Sequence, residues 1–263
     1  MSRYVLRFGA LGYLALLLLV PVGFVFYRAF EHGVGPAWDA VTSHQAVHAL
    51  ELTLLMAAIA VPANTIFGVV LALALVRTRF PGRGLVNAIV DLPLALSPVV
   101  VGLALFLLYG KGGWLGGLAD HGIRIIFSLP GMVIATTFVT LPFVVREVEP
   151  VLHEIGNDQE QAAVTLGASW RQTFWRITLP AIRWGLAYGV VLTVARSLGE
   201  FGALIIVAGG VPGESQTLTL LVHSRYIDDH NVFGAYASAT VLMGLAILTL
   251  SLMTFLNRKR EAT

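Results

Sequence analysis

Two charged side chains, Arg196 and Glu200, lie inside an apolar stretch that runs from about residue 185 to residue 208. A charge at bilayer depth is costly and normally faces the interior of a helix bundle or water. Spaced four residues apart, the two can form an ion pair on one face of a helix. Two interpretations follow: the pair only braces the bundle, or Arg196 supplies positive potential on a path for an anion, tempered by Glu200.

Hydroxyl and amide side chains within the apolar stretches form a second group of candidates. Ser and Thr in membrane helices often bond only to a carbonyl one turn back, so we expect most of this group to be structural. Ser97, which precedes Pro98, is the best candidate for a polar group on a path. The whole group consists of Asn64, Thr65, Ser97, Thr136, Thr137, Thr140, Thr193 and Ser197.

Histidines offer little chemistry in this sequence. His44 and His48 have helical spacing, which can serve zinc, but no third ligand stands at a known spacing from them. His153-Glu154 lacks the second histidine of a zinc-protease motif. An intramembrane enzyme would need His, Ser or paired carboxylates that converge within the apolar stretches, and the sequence offers no such set. We therefore predict neither a metal site nor a catalytic residue.

The composition indicates which solvent surrounds the chain. Only 12% of the 263 residues are charged, against ~25% in typical soluble domains. Hydrophobic residues make up 57%, and the mean hydropathy is +0.80. A soluble domain of this size could not bury so much apolar side chain. The composition excludes a disordered chain, a nucleic-acid-binding module and an ordinary cytosolic enzyme, and it predicts a lipid bilayer as the main solvent.

Apolar stretches between charged residues define the expected helices. A membrane-spanning helix needs about 20 predominantly apolar residues, and six stretches are of about that length. We therefore predict an all-α, polytopic membrane protein with six transmembrane helices. The first covers residues 8–27, and the others about 53–76, 92–109, 125–145, 185–208 and 232–256. The chain divides accordingly into a tail, first helix and outer loop (1–49), a transmembrane core (50–256) and a second tail (257–263).

The basic residues predict the orientation of these helices. Six spans place both termini on one side, and 12 of the 17 Lys and Arg residues fall on that side, against four on the other. Such an excess marks the cytoplasmic side, so both termini are expected in the cytoplasm. Segment 209–218 is rich in turn-forming Gly and Pro and is expected outside.

The longest cytoplasmic connection, residues 146–183, has a pattern of its own. Its first piece is a short helix with an apolar contact near its end, built from Glu160, Ala162, Ala163, Leu166 and the terminating Gly167. A second, amphipathic piece carries Trp170, Phe174, Ile177 and Leu179. Pro180 then suits the first turn of the next span. On the pattern alone, an interfacial helix lying on lipid headgroups is the alternative.

The string QAAVTLGASWRQTFWRITLP, residues 161–180, resembles the signature loop of bacterial ABC-importer permeases. That signature is Glu-Ala-Ala, three residues, Gly, nine residues and Ile-x-Leu-Pro. Six of its seven positions match: Ala162, Ala163, Gly167, Ile177, Leu179 and Pro180. The exception is Gln161, which stands at the Glu position, while an acidic residue precedes it at Glu160.

Further segments resemble one branch of these permeases. Residues 91–110, 129–147 and 195–218 are similar to the sulfate/thiosulfate permeases, and the W-type subunit of the two paired permeases is nearest. The molybdate permeases share the string Leu-Gly-Glu-Phe-Gly-Ala, residues 198–203, so a molybdate or tungstate permease is the alternative. A small channel is a further alternative, although a channel would not need the loop around Gly167.

The resemblance implies a MetI-like fold and a set of partners. A second permease, either a copy or a relative, would pair with this chain in the bacterial inner membrane. Two ATPase subunits would bind ATP and magnesium and receive the loop around Gly167, and a periplasmic binding protein would deliver the oxyanion. The sequence lacks G-x-x-x-x-G-K-[ST], so we expect no cofactor on this chain. Segment 209–218 would then meet the binding protein or cap the path.

Overall fold

The computed structural model describes the backbone of residues 3–261 and the side chains of residues 7–118 and 120–255. The side chains of the expected tail, 257–263, lie outside that description. The α-helices of the described part are α1 (Arg3–Phe30), α2 (Val34–Thr42), α3 (His44–Arg77), α4 (Arg83–Ala95), α5 (Pro98–Tyr109), α6 (Leu129–Ile155), α7 (Asp158–Thr165), α8 (Trp170–Thr173), α9 (Leu179–Leu198), α10 (Leu204–Val207), α11 (Leu218–Ile227) and α12 (Val232–Glu261). A 3₁₀ segment covers Gly116–His121, and a π-helical turn covers Phe174–Thr178.

Helices long and apolar enough to cross a membrane dominate the described residues. Five meet that description: α1, α3, α6, α12 and the continuous run from α8 to α9. The pair α4 and α5 becomes a sixth if the two are taken as one bent span. The prediction of an all-α, polytopic membrane protein is confirmed, and the structure gives five or six spans rather than six straight helices.

The span expected at residues 92–109 is not one helix, so this prediction is wrong in its geometry. The chain bends by 110° between α4 and α5. Pro98 causes the break, because a residue before proline is driven out of the α conformation. Ser97 accordingly has an extended backbone, with φ −63° and ψ 134°, and Pro98 occupies the first turn of α5.

The span expected at residues 185–208 also differs from the structure. It begins earlier, because the amphipathic piece at Trp170 runs through the π turn into α9 without a break. It ends earlier as well, at Leu198, followed by a non-helical segment and the four-residue α10. Glycines at positions 199 and 202 favour this interruption, because glycine weakens a helix interior. Glu200 therefore lies beyond the helix that carries Arg196.

The centre of the bundle consists of α3, α6 and α9, which approach closely at glycines. A Cβ at Gly68 of α3 would lie 2.6 Å from the Cβ of Val144, and one at Gly189 of α9 would lie 3.0 Å from the Cα of Val144. A Cβ at Gly185 would lie 2.7 Å from the carbonyl oxygen of Glu147. Small residues allow such backbone approach in membrane helices. One residue of α6, Val144, is thus held between two neighbouring helices.

Segment 209–218 folds partly into the bundle. Ser215, Gln216 and Thr217 are each 1% exposed. Gln45 donates from Nε2 to Oε1 of Gln216 at 2.9 Å, and the backbone N–H of Leu218 donates to Thr53 Oγ1 at 2.9 Å. The glycines and proline form the turn, but the polar residues that follow find partners on α3, which the local pattern could not reveal.

Arg225 of α11 is buried at the same end of the bundle as segment 209–218 and connects several helices there. It is 6% exposed and donates to the carbonyl oxygens of Ala40 and Gly234 and to the hydroxyls of Ser43 and Ser238, at 2.7–3.2 Å. Burial lowers the pKa of Arg225, and the nearby charge of Asp229 partly opposes that shift. One guanidinium thus joins α2, α11, α12 and the N-terminal cap of α3.

Candidate coupling site and translocation path

The short helix α7 ends at Thr165, and Gly167, the predicted terminating residue, follows two positions later. Gly167 has φ +85°, a conformation that side-chain-bearing residues rarely adopt. Its N–H donates to the carbonyl of Val164 at 3.0 Å, and the N–H of Ala168 donates to that of Ala163 at 3.0 Å. These two bonds form a Schellman motif, which satisfies the last carbonyls of the helix. Apart from its two chain neighbours, no atom of the described residues lies within 4 Å of a Cβ built on Gly167, so the backbone conformation is what demands glycine here.

The apolar residues of this region point away from the bundle. Leu166 is 89% exposed, so the apolar contact expected for it is not made within this chain. Val164 and Trp170 are also exposed, and α7 has no buried residue. Exposed apolar side chains gathered on one short element are typical of a protein–protein contact.

The second piece of the loop is anchored by a capping box. The Ser169 side chain accepts from the backbone of Gln172, and the Gln172 side chain accepts from the backbone of Ser169. The π turn follows the capping box. In it, the backbone N–H of Leu179 donates to the carbonyl oxygen of Phe174, five residues back. Of the signature residues, Gln161, Ala162 and Pro180 are exposed, and Ala163, Ile177 and Leu179 are half-buried.

Glu160 has partners that sequence reasoning did not find. Its Oε2 lies 2.9 Å from Nε of Arg77, at the end of α3. Its Oε1 accepts from the hydroxyl of Thr178 at 2.7 Å, in the π turn. The guanidinium of Arg77 also donates to the carbonyls of Leu152 and Gly156, at 3.2 and 2.6 Å. No sequence pattern signals this cluster, because Arg77 and Glu160 are 83 residues apart.

Arg196 and Glu200 do form the expected ion pair, with Nη1 and Oε2 2.6 Å apart. The Glu200 side chain is fully buried, and that of Arg196 is 32% exposed. Glu200 Oε1 also accepts from the backbone N–H of Ala203 at 2.9 Å, and the Glu200 carbonyl accepts from Thr219 Oγ1 at 2.7 Å. The carboxylate therefore organises the break after α9, while part of the Arg196 side chain remains accessible.

The two interruptions of the bundle lie against each other. A Cβ at Gly202 would be 3.0 Å from the Cβ of Pro98 and 3.3 Å from the backbone nitrogen of Val99. Ser97 is exposed and its side chain makes no capping hydrogen bond to α5. The structure thus brings the start of α5, where Ser97 lies, next to the segment that begins with Glu200.

Most other hydroxyls in the spans are structural, as predicted. The hydroxyls of Thr65, Thr140 and Thr193 donate to carbonyls four residues back. Asn64 instead joins two helices, because its Nδ2 donates to Thr140 Oγ1 at 2.6 Å and to the carbonyl of Thr137 at 3.0 Å. Within the part of the chain that the structure describes, no three His, Asp or Glu side chains gather as a metal site would require.

The bundle, its two interruptions and the exposed helix α7 define a class of transport protein. Residues 64–262 match the family described as the inner membrane component of binding-protein-dependent transport systems, and the chain belongs to this family. Its relatives are permease subunits, so it is a transport protein of the membrane rather than an enzyme.

Similar relatives indicate a branch within this family, because they are sulfate transport permeases. The chain is 52% identical to the sulfate transport system permease protein CysW of Synechocystis sp., over 98% of this chain and 93% of the relative. It is 46% identical to the Escherichia coli protein of the same name, over 94% and 85% of the two chains. It is 38% identical to the sulfate transport system permease protein CysT of Salmonella typhimurium, over 92% and 87%.

Solved structures confirm the fold as that of an ABC-importer permease. A chain of a bacterial ABC transporter that imports alginate superposes with a TM-score of 0.78, covering 98% of this chain and 94% of its own. The two sequences are only 17% identical, so this likeness concerns the fold.

Proposed function

We propose that this chain is the transmembrane permease subunit of an ATP-driven importer of sulfate and thiosulfate. The observation that carries the proposal is the 52% identity to a sulfate permease over 98% of the chain. That similarity includes the transmembrane core, so it is not confined to the loop around Gly167. In this proposal a second permease subunit shares the translocation path. Relatives of two types, CysW and CysT, support a partner that is a related chain rather than a copy.

Two ATP-binding subunits dock beneath the pair of permeases from the cytoplasm, and one of them receives α7. Exposed Leu166, Val164 and Trp170 support this contact, since an apolar surface on a charged loop calls for a protein partner. ATP and magnesium act in those subunits, and this chain binds neither. A periplasmic binding protein delivers the anion, which is supported by a similar transporter solved in complex with a periplasmic protein.

The translocation path runs past the two interruptions of the bundle. Arg196 is the residue that attracts the anion, because its side chain is partly accessible although Glu200 is buried beneath it. Ser97 offers a hydroxyl at the start of α5, where no intrahelical bond occupies it. Discontinuous helices at such a point are a common way to build a path for ions.

The orientation we propose places both termini and α7 in the cytoplasm of a bacterial inner membrane. The chain contains no cysteine, so single cysteines at Gly113 and Trp170 can be labelled selectively with an impermeant thiol reagent. In intact cells the Gly113→Cys protein should react and the Trp170→Cys protein should be protected. The reverse labelling pattern would show that the orientation is inverted.

Uptake of labelled sulfate tests the substrate. The chain is produced with its partner permease, ATPase and binding protein in cells that lack their own sulfate importers. We expect uptake that thiosulfate competes away and that a tenfold excess of molybdate leaves mostly intact. Competition by molybdate with equal strength to sulfate would replace this proposal with the molybdate alternative. Co-purification of the ATPase separates both from a channel, which would need no ATPase.

A further inference from the structure

The helix α7 has an unusual attachment to the rest of the molecule. None of its residues is buried, and its apolar side chains Val164 and Leu166 point outward. A helix with so little buried surface gains little stability from packing, so its polar contacts matter more. α7 follows α6 after only two residues, Gly156 and Asn157, and Gly156 has φ +63°, a conformation that favours glycine.

The contacts that hold α7 converge on the carboxylate of Glu160. One oxygen pairs with Arg77 of α3 and the other accepts from Thr178 at the start of the α9 run, so the carboxylate bridges two spans. The side chains of Arg77 and Glu160 are 18% and 19% exposed, which shields the ion pair from water and salt.

Arg77 extends the same connection to a third span. Its guanidinium donates to the carbonyls of Leu152 and Gly156, at the end of α6 where carbonyls lack helical partners. Charge-assisted hydrogen bonds of this kind are stronger than neutral ones and fix direction as well as distance. The ends of α3, α6 and α9 are therefore linked to α7 through one arginine and one carboxylate.

We infer that Glu160 is a positioning residue for transport: it holds α7 to Arg77 and Thr178, so that a displacement of α7 moves α3, α6 and α9 together. Without this link, the connection around Gly156 would absorb the displacement and the spans would stay in place. The inference rests on the proposed function, in which ATPase subunits push and pull α7. It concerns a residue outside the six matched positions of the signature.

The test compares Glu160→Gln with Glu154→Gln in the full transporter. Glu154 is exposed at the end of α6 and serves as the matched control. Two quantities are measured at equal amounts of assembled complex: sulfate uptake per ATP hydrolysed, and the distance between spin labels on cysteines at Gln159 of α7 and Ile66 of α3, with and without ATP. The partners are used in cysteine-free form.

For Glu160→Gln we expect uptake per ATP to fall about tenfold, since a lost charge-assisted bond changes an equilibrium by about that factor. The label distances should broaden in that variant and stay narrow in the parent and in Glu154→Gln. A merely structural role would lower uptake and ATP hydrolysis in proportion and leave the distances narrow. Narrow distances in Glu160→Gln overturn the inference whatever the uptake. If the parent transports no sulfate, the proposed function fails, while the label distances still decide the inference.

Discussion

The two ends of the bundle are built in opposite ways. At the α11 end, polar residues are buried: Ser215, Gln216, Thr217 and Arg225 are between 1% and 6% exposed and bond to several helices. At the α7 end, apolar residues are exposed, and one ion pair and its hydrogen bonds hold the helix to the spans. A buried polar group that loses its hydrogen-bond partner costs free energy, so the bonds at this end resist disruption. The α11 end is therefore locked, whereas α7 is a separate body on a short connection.

This difference predicts which property a substitution at each end should change. Changes at the α11 end should lower stability first, because they leave buried groups without partners. Changes at the α7 end should leave the fold intact and affect how a displacement of α7 is passed to the spans. Variants at each end of the bundle test this difference.

The largest effect is expected for Arg225→Met. The substitution removes four hydrogen bonds that a buried guanidinium donates, which should lower the free energy of unfolding by ~3 kcal/mol or more. Thermal unfolding in detergent measures the change. Arg124→Met, at an exposed position of the same predicted side, should stay within about 0.5 kcal/mol of the parent. Equal melting temperatures for the two variants would contradict a locked α11 end.

Gly167→Val should abolish uptake while leaving the melting temperature nearly unchanged. A β-branched residue at φ +85° is strained, so the end of α7 must rearrange and ATPase binding should weaken. Gly167→Asn is the control, because asparagine tolerates this conformation far better. Co-purified ATPase and sulfate uptake are measured for both. If Gly167→Asn lowers uptake and ATPase binding as much as Gly167→Val does, backbone strain is not the reason for the glycine. Close contact with the ATPase surface would then be the reason.

The pair in the membrane should give a smaller, graded effect. Glu200→Gln keeps an oxygen that can accept from Ala203, and it leaves Arg196 charged, so it should retain most uptake. Arg196→Met leaves the buried carboxylate unpaired and should reduce assembly as well as uptake. The double variant should assemble yet transport about tenfold less than the parent, as for loss of one favourable charge contact. Near-parental uptake by the double variant, at equal assembly, would make the pair purely structural.

The smallest effect is expected for Gln161→Glu, which restores the signature residue. Gln161 is exposed and makes no described hydrogen bond through its side chain, so folding should be unaffected within about 0.5 kcal/mol. Uptake should change by less than about twofold, since an exposed charge contributes little. A large gain would mean that position 161 needs a carboxylate, which Glu160 cannot supply because Arg77 and Thr178 hold it inside the chain.

The sequence predicted what depends on local rules. Hydropathy predicts the spans, and the end of α7 just before Gly167 follows from glycine's freedom at positive φ. The break at Pro98 also follows a local rule, because a residue before proline avoids the α conformation. The prediction gave more weight to the length of the apolar run and therefore expected one helix. The sequence could not predict contacts between residues that are far apart in the chain. The hydrogen bond from Gln45 to Gln216 joins residues 171 positions apart. The ion pair of Arg77 with Glu160 depends on how α3 and α6 pack.

The bend between α4 and α5 has a consequence for hydration. The two helices contain 13 and 12 residues, which at 1.5 Å per residue gives arms of about 20 and 18 Å. Neither arm alone reaches across a hydrocarbon core of about 30 Å, so we expect the turn at Ser97 to lie within the depth of the bilayer if the pair crosses it as one bent span. Irregular backbone at that depth must be covered by protein or wetted. In the translocation path proposed above, an entering ion would then keep part of its water shell as far as this turn, and the dry barrier that it crosses would be thinner than the membrane itself.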